Sequence, residues 1–348
     1  MNEPRSLAIS TYFRHHAVHG GYKQILAYTQ PVATLGHDER YPERSGWLRQ
    51  RYRFVFEGDA RRYVRHTPVD LVHILYGEEY FRFSHRILPV PVVATFHQPP
   101  ELLMRELVHG DVQGRVGAWM HQLSKDRFRG LGAAIVMTDS QKEVLSSVMP
   151  GDKIHVIPLG IDMTELGRRF RENSRTRIPT QILTVGEWMR DWDFYFQFVA
   201  YCLEQRPEWE FLLLNRRLPA ERQQQAEALP NVRRLPDVSD DVLYEAYASS
   251  ACMFLPLSGA AANNSVNEAL ALGCPVVSNI GASYLSGDHF RLFENKSLSG
   301  ALAACEAFAD LTETQHTSLS LSAHEKARTL DWPVIGARTL EVYRKVLP

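Results

Sequence analysis

Short apolar, β-branched runs alternate with amphipathic stretches along this chain, and the alternation happens twice. The first series is Ser6–Ser10, Val69–Leu75, Pro91–Phe96, Ala133–Met137 and Ile154–Ile157. Helical patterns such as Gly21–Tyr28 and Val112–Arg129 lie between these runs. The second series is Ile182–Val185, Glu210–Leu214, Val232–Leu235, Cys252–Leu255 and Pro275–Val277. Short apolar runs with polar ends suit parallel strands that helices cover on both faces. Strands alternating with helices build a doubly wound sheet. Residues 167–180 are polar and arginine-rich and end in Ile178-Pro179-Thr180, so they read as a linker. The expected architecture is α/β, with two Rossmann-like domains over 1–165 and 166–330. A last helix over 331–348 would open at Asp331-Trp332-Pro333, where a cap-like Asp precedes an early proline.

Bulk composition excludes several classes. At 348 residues the chain can bury two separate cores. Its 45% hydrophobic and 23% charged residues are ordinary for a globular protein. A net charge of −1 gives no global attraction to nucleic acid. No apolar run approaches a membrane span, and Met1-Asn2-Glu3-Pro4-Arg5 lacks a signal-peptide layout, so a cytoplasmic protein is expected. Cys202, Cys252, Cys274 and Cys305 are widely spaced, which reads as reduced core thiols and not as a zinc site. No metal and no cofactor are expected.

The stretch most informative about chemistry is Ser265-Val-Asn-Glu-Ala-Leu-Ala-Leu-Gly-Cys-Pro-Val-Val-Ser-Asn279. It reads as a short helix carrying Glu268 near its positive end, stopped by Gly273 and followed by a buried strand. Strand–helix junctions of this kind bind ligands in α/β folds. A carboxylate can accept two adjacent hydrogen bonds, which suits the vicinal hydroxyls of a ribose. Gly20-Gly21 follow the first strand, where glycines let a backbone approach phosphate. His97 ends the run Val92–Phe96 and is stiffened by Pro99-Pro100. After Ile182–Val185 comes Gly186-Glu187-Trp188-Met189-Arg190-Asp191, in which Arg190 is the nearest cation for a phosphate, unless it pairs at the surface with Asp191 or Asp193. Asn263 and Asn264 can meet sugar hydroxyls. His15, His16 and His19 could be imagined as a metal site, but a loop beside an anion site explains them as well. Arginine interleaves with aromatics over Arg49–Phe54 and Arg61–Arg65. A solvated helix face explains that pattern, and an anionic acceptor or a peripheral membrane contact is its functional alternative.

Together these residues resemble glycosyltransferase family 4, of the two-domain GT-B architecture. The resemblance rests on Gly20-Gly21, His97, Ile154–Asp162, Gly186 with Arg190, and Ser265–Asn279. It implies two Rossmann-like domains facing a cleft, with the acceptor on the N-terminal side and a UDP- or GDP-sugar on the C-terminal side. It implies a final helix that crosses back to the first domain. It also implies metal-independent sugar transfer with retention, to a glycan, lipid-linked or small-molecule acceptor, and a role in cell-surface glycan or glycolipid synthesis. By the same resemblance His97 and Arg190 are catalytic, and Gly20, Gly21, Gly186, Pro236, Asn263, Asn264, Ser265 and Glu268 bind the donor, with Pro236 in the loop that meets the nucleobase. Two positions depart from the family pattern. Glu187 stands where an arginine is usual, and Ala260 stands where a first glutamate is usual. They motivate a rival, non-catalytic binding subunit. A second rival is a sugar-nucleotide epimerase using Glu78-Glu79 as its acid/base pair.

Overall fold

The computed structural model describes residues 3–10, 21–36, 47–80, 84–105, 122, 125–172, 176–261 and 263–348. The chain separates into two compact units, 1–160 with 332–348, and 161–331.

Unit 1 holds a six-stranded parallel sheet. Its strands are β1 (Ser6–Ser10), β2 (Ala33–Gly36), β3 (Leu71–Ile74), β4 (Val92–Phe96), β5 (Ala133–Val136) and β6 (Ile154–Val156). Their order is β2-β1-β3-β4-β5-β6, so the direction of winding reverses between β1 and β3. β1, β3, β4 and β5 are buried along their whole length, as the apolar runs require. β2 was not expected from sequence. It is a half-exposed edge strand ending in glycine, so it lacks the continuous apolar signature.

The helix Trp332–Val346 belongs to this unit. Its Tyr343 hydroxyl lies 2.6 Å from His73 Nδ1, while His73 Nε2 lies 2.8 Å from Thr95 Oγ1. Thr95 Oγ1 is in turn 3.1 Å from the Tyr22 hydroxyl. Burial, reinforced by the neighbouring His97, drives the His73 pKa down to about 3. His73 is therefore a neutral core histidine, tying the last helix to β3 and β4 through polar groups that satisfy one another.

Unit 2 holds a second six-stranded parallel sheet. Its strands are β7 (Ile178–Val185), β8 (Glu210–Leu214), β9 (Val232–Leu235), β10 (Ser250–Leu255), β11 (Val276–Ser278) and β12 (Phe290–Leu292). The order is β12-β11-β10-β7-β8-β9, and the winding reverses between β7 and β10. Alternate residues feed two cores. Leu183, Val185, Leu212, Leu214, Met253 and Leu255 face one layer of helices, and Ile182, Phe211, Leu213, Cys252 and Phe254 face the other. All four cysteines are buried and free. β12 was also missed in the sequence; it too is a short, half-exposed edge strand.

The expected linker over 167–180 is not one. Met163–Glu172 is a helix, and β7 begins at Ile178. The helix turns its arginines outward, where Arg168 and Arg169 pair with Glu165, and buries Leu166. Polarity along 167–172 is thus the wet face of an amphipathic helix. Pro179 is tolerated in β7 because pairing with β10 slips between Ser250 and Cys252.

Just before β7, the buried Arg177 guanidinium gathers backbone carbonyls. Nη1 donates to Tyr247 O (3.0 Å) and Ser250 O (2.6 Å), and Nη2 donates to Leu272 O and Gly273 O. Nε donates to Ser320 Oγ at 3.0 Å. These carbonyls close the ends of two helices, Asp240–Ser249 and Asn264–Ala271. A cation at helix C-termini is favourable on dipole grounds, and the carbonyls would otherwise be orphaned. Gly273 completes this end. Its φ of +73° is left-handed, and a Cβ there would press on Phe170 and Ser320.

Arg177→Ala should destabilise unit 2 by about 3–5 kcal/mol, because several buried acceptors lose their donor at once. Urea denaturation of the variant is expected to show a lower midpoint, with Arg177→Lys recovering part of it.

Candidate functional site

The reversal between β7 and β10 places the carboxyl ends of these strands side by side, which is where open α/β sheets bind ligands. Gly186 leaves β7 there with φ +94°. A Cβ on Gly186 would come within 2.5 Å of Arg190 Nη2 and 3.5 Å of Ser265 Oγ. Glycine is required both by the backbone angle and by this close approach. Gly186, Arg190 and Ser265 are thus brought together, although 75 residues separate Arg190 from Ser265 in the chain.

Arg190 folds its own loop. Nε and Nη2 donate to Val185 O at 2.9 and 2.7 Å, Nη1 to Trp188 O at 2.9 Å, and Nη2 also to Ser265 Oγ at 3.3 Å. The expected surface partners are taken elsewhere. Asp191 pairs with Lys296 and Asp193 with Arg222. Glu187, where an arginine is usual, accepts from the backbone N–H of Arg217. Among the described residues no carboxylate neutralises Arg190. Desolvation lowers its pKa to about 10, which still leaves it cationic at neutral pH.

The surrounding loops are laced together. Asn279 brackets Leu257, accepting from its N–H at 2.7 Å and donating to its carbonyl at 2.8 Å. Ser258 N–H donates to Met189 O at 3.0 Å. Asn215 follows β8, donates from Nδ2 to Gly186 O at 3.2 Å, and is 4% exposed. Its Oδ1 is buried and has no partner among the described residues.

The helix Asn264–Ala271 points its N-terminus at this cluster. Asn263 is its N-cap and makes no side-chain capping bond among the described residues, where the buried Asn264 Oδ1 also has no partner. Glu268 sits in the second turn and not at the helix start, so the dipole has little hold on it. It is not the exposed glutamate of an ordinary surface helix either. It is 7% exposed, and its Oε2 accepts from the Tyr247 hydroxyl at 3.2 Å. Burial raises its pKa to about 7, with the Tyr247 bond acting in the opposite direction. Ala260 packs against the core of the unit and brings no carboxylate. Pro236 follows β9, two strands from β7, and is exposed.

In unit 1, Gly20, with His15, His16 and His19, lies outside the described residues. Gly21 is buried and opens the short helical segment Tyr22–Thr29. Tyr22 brings this turn to His97, with ring centroids 4.7 Å apart. His97 follows β4, and its Nε2 lies 2.8 Å from Leu75 O. A carbonyl only accepts, so Nε2 carries the proton. The backbone N–H of His97 donates to Glu78 Oε1 at 3.1 Å. Glu78 is therefore engaged with the loop that carries His97, and the Glu79 side chain lies outside the described residues. On the helix Trp47–His66, Arg61, Arg62 and Arg65 are exposed, while Glu57 is buried. No helix among the described residues is long and apolar enough to cross a membrane, and no group of three or more His, Cys, Asp and Glu is placed to hold a metal ion.

Comparison with known proteins decides what this fold is used for. Residues 13–165 match the model of Glycosyltransferase Family 4, and residues 179–310 match that of Glycosyl transferases group 1. The chain belongs to the GT-B glycosyltransferases. No curated protein sequence matches it. Among solved structures, this glycosyltransferase is similar to a sucrose-phosphate synthase from Thermosynechococcus elongatus, at 16% identity and TM-score 0.71, covering 98% of each chain. It is similar to a UDP-forming α,α-trehalose-phosphate synthase from Burkholderia vietnamiensis, at 12% identity and TM-score 0.71, covering 98% of this chain and 99% of that one. It also resembles Anabaena HepE in complex with UDP-glucose, at 12% identity and TM-score 0.64, covering 98% and 99%. In this glycosyltransferase the sequence-expected Gly186, Arg190, Asn263, Asn264, Ser265 and Glu268 share one end of unit 2. Sequence reasoning missed Tyr247 and Asn215. Asn215 carried the signal of a polar residue closing an apolar strand; Tyr247 carried none.

Arg190→Ala should lower both melting temperature and kcat/KM. The stability loss, about 1–3 kcal/mol, reflects carbonyls left without their donor. Wild-type turnover in a destabilised Arg190→Ala would leave the residue a loop clamp alone.

Proposed function

We propose that this glycosyltransferase takes a sugar from a UDP- or GDP-sugar and transfers it with retention to an acceptor hydroxyl. The observation that carries the reading is the presence at the β7–β10 switch of both Arg190, a cation that no carboxylate among the described residues neutralises, and Glu268, a buried carboxylate. A nucleoside diphosphate offers the complement: anionic oxygens for Arg190 and the helix N-terminus, and ribose hydroxyls for Glu268. HepE, a structural neighbour, holds UDP-glucose, and another neighbour, Staphylococcus aureus TarM, holds UDP.

In this reading the bond between the anomeric carbon and the diphosphate oxygen breaks as the acceptor oxygen attacks from the same face. The acceptor proton passes to the departing phosphate oxygen, so no protein nucleophile is needed. Arg190 meets more negative charge as the bond breaks and favours the transition state over the ground state. The described residues fit charge neutralisation by side chain and helix end, with Asp191 and Asp193 each already held by a cation. His97 serves turnover at the end of β4. The exposed Arg61, Arg62 and Arg65 suit an anionic acceptor, such as a lipid-linked or acidic glycan, reached from the cytoplasmic side.

A thermal-shift screen across UDP-, GDP-, ADP- and dTDP-sugars should reveal one stabilising donor. That donor should be hydrolysed slowly, with or without EDTA; loss of turnover in EDTA, restored by Mg²⁺ or Mn²⁺, would remove metal independence from the reading. Glu268→Ala should weaken its binding by about 1–3 kcal/mol. Unchanged affinity in a folded variant would sink the ribose assignment.

His97→Ala should lower kcat while leaving affinity for the free nucleotide nearly unchanged. Full activity of this variant on its acceptor would remove His97 from the reaction.

A further inference from the structure

The Glu268 carboxylate meets the rest of the protein unevenly. Oε2 accepts from the Tyr247 hydroxyl at 3.2 Å, and among the described residues this is the one side-chain hydrogen bond Glu268 makes. Tyr247 is 0% exposed and sits on the helix Asp240–Ser249, so its ring cannot swing away without opening the core. The same tyrosine is anchored through its backbone, because its carbonyl accepts from Arg177 Nη1 at 3.0 Å. Arg177 also holds the carbonyls that follow the helix of Glu268. Donor and acceptor are thus fixed to each other through the C-terminal ends of both helices.

We propose that Tyr247 is a positioning residue for nucleotide binding: it occupies one oxygen of Glu268, favours the carboxylate form by donating to it and aims the other oxygen at the ribose. This inference rests on the ribose reading of Glu268 given above. A carboxylate accepts from both hydroxyls of a diol, whereas a protonated carboxyl must spend one oxygen as a donor. Ionisation of Glu268 therefore decides how well a ribose is held.

The groups facing Glu268 do little else to keep it charged. Tyr244, Tyr247 and Asp240 face it from its neighbouring helix, and Asp240 opposes ionisation. From the helix Met163–Glu172, Glu165 and Arg169 face Tyr244 and are paired with each other. From the helix Glu313–Arg328, His324 Nδ1 meets the Ala271 carbonyl. Arg190 acts on Tyr247 from the β7 loop, and Cys274 flanks Tyr247 from the segment before β11. Burial raises the Glu268 carboxyl to about 7, and the Tyr247 bond is the first opposing influence. The sign follows. Below about pH 7 the ligand-free carboxyl is protonated and ribose binding is weak; above it, binding is strong. Removing the hydroxyl raises the carboxyl further, so strong binding should begin at higher pH.

The test compares wild type, Tyr247→Phe and Glu268→Gln. The carboxyl titration is followed by ¹³C NMR of glutamate-labelled protein, with the Glu268 signal assigned by its loss in Glu268→Gln. In parallel, affinities for UDP and 2′,3′-dideoxy-UDP are measured from pH 5.5 to 9, and their ratio cancels the ionisation of the phosphates. In Tyr247→Phe the Glu268 midpoint should move up by about one pH unit or more, the scale of one hydrogen bond to a charged group. The UDP preference over the dideoxy compound should fall about 3- to 10-fold at pH 7 and recover near pH 9. A midpoint that stays put in folded Tyr247→Phe overturns the role of Tyr247, even if the melting temperature drops. A midpoint that moves, in a wild type that binds both compounds equally, overturns instead the ribose reading beneath it.

Discussion

The guanidinium of Arg177 anchors the candidate site of unit 2 through the C-terminal ends of two helices. Helices in this fold run back along the sheet, so their carbonyl ends collect where β7 begins. One cation there answers Tyr247 O, Ser250 O, Leu272 O and Gly273 O. It needs no carboxylate because the helix ends supply its negative charge. The two helices it fixes are those that carry Tyr247 and Glu268, so the carboxyl geometry inherits its precision from how these helix ends are held.

Arg190 solves a related problem differently. Its donors are turned on its own loop, on Val185 O and Trp188 O, and across to Ser265. Carbonyls and a hydroxyl satisfy its hydrogen bonds without cancelling its charge. A cation that is structurally satisfied and, among the described residues, electrostatically unneutralised is suited to a ligand bearing phosphate, because the ligand need not compete there with a carboxylate. Gly186 makes the arrangement fit, since a side chain there would displace the guanidinium.

The glycosyltransferase fold was legible in the sequence wherever strands are buried on both faces. β1, β4, β8 and β10 show as apolar runs because helices cover them on either side. Strands β2 and β12 were not legible: β2 carries Thr34 and Gly36 among its four residues, and β12 has three residues with Arg291 at its centre, so neither shows a continuous apolar run. The helix Met163–Glu172 was mistaken for a linker because its exposed face carries most of its residues' polarity.

By itself the sequence determined the doubled α/β alternation, the glycine turns and the stretch Ser265–Asn279. These are local: propensity, periodicity and backbone permissiveness act over a few residues. Tertiary structure decided what each side chain does. It buried Glu268 against Tyr247, 21 residues away, and gave Arg190 to Val185 O and Ser265 in place of the adjacent aspartates. Ionisation and hydrogen-bond partnership depend on which groups converge from distant segments and on how much water remains between them. Chain order does not encode either directly.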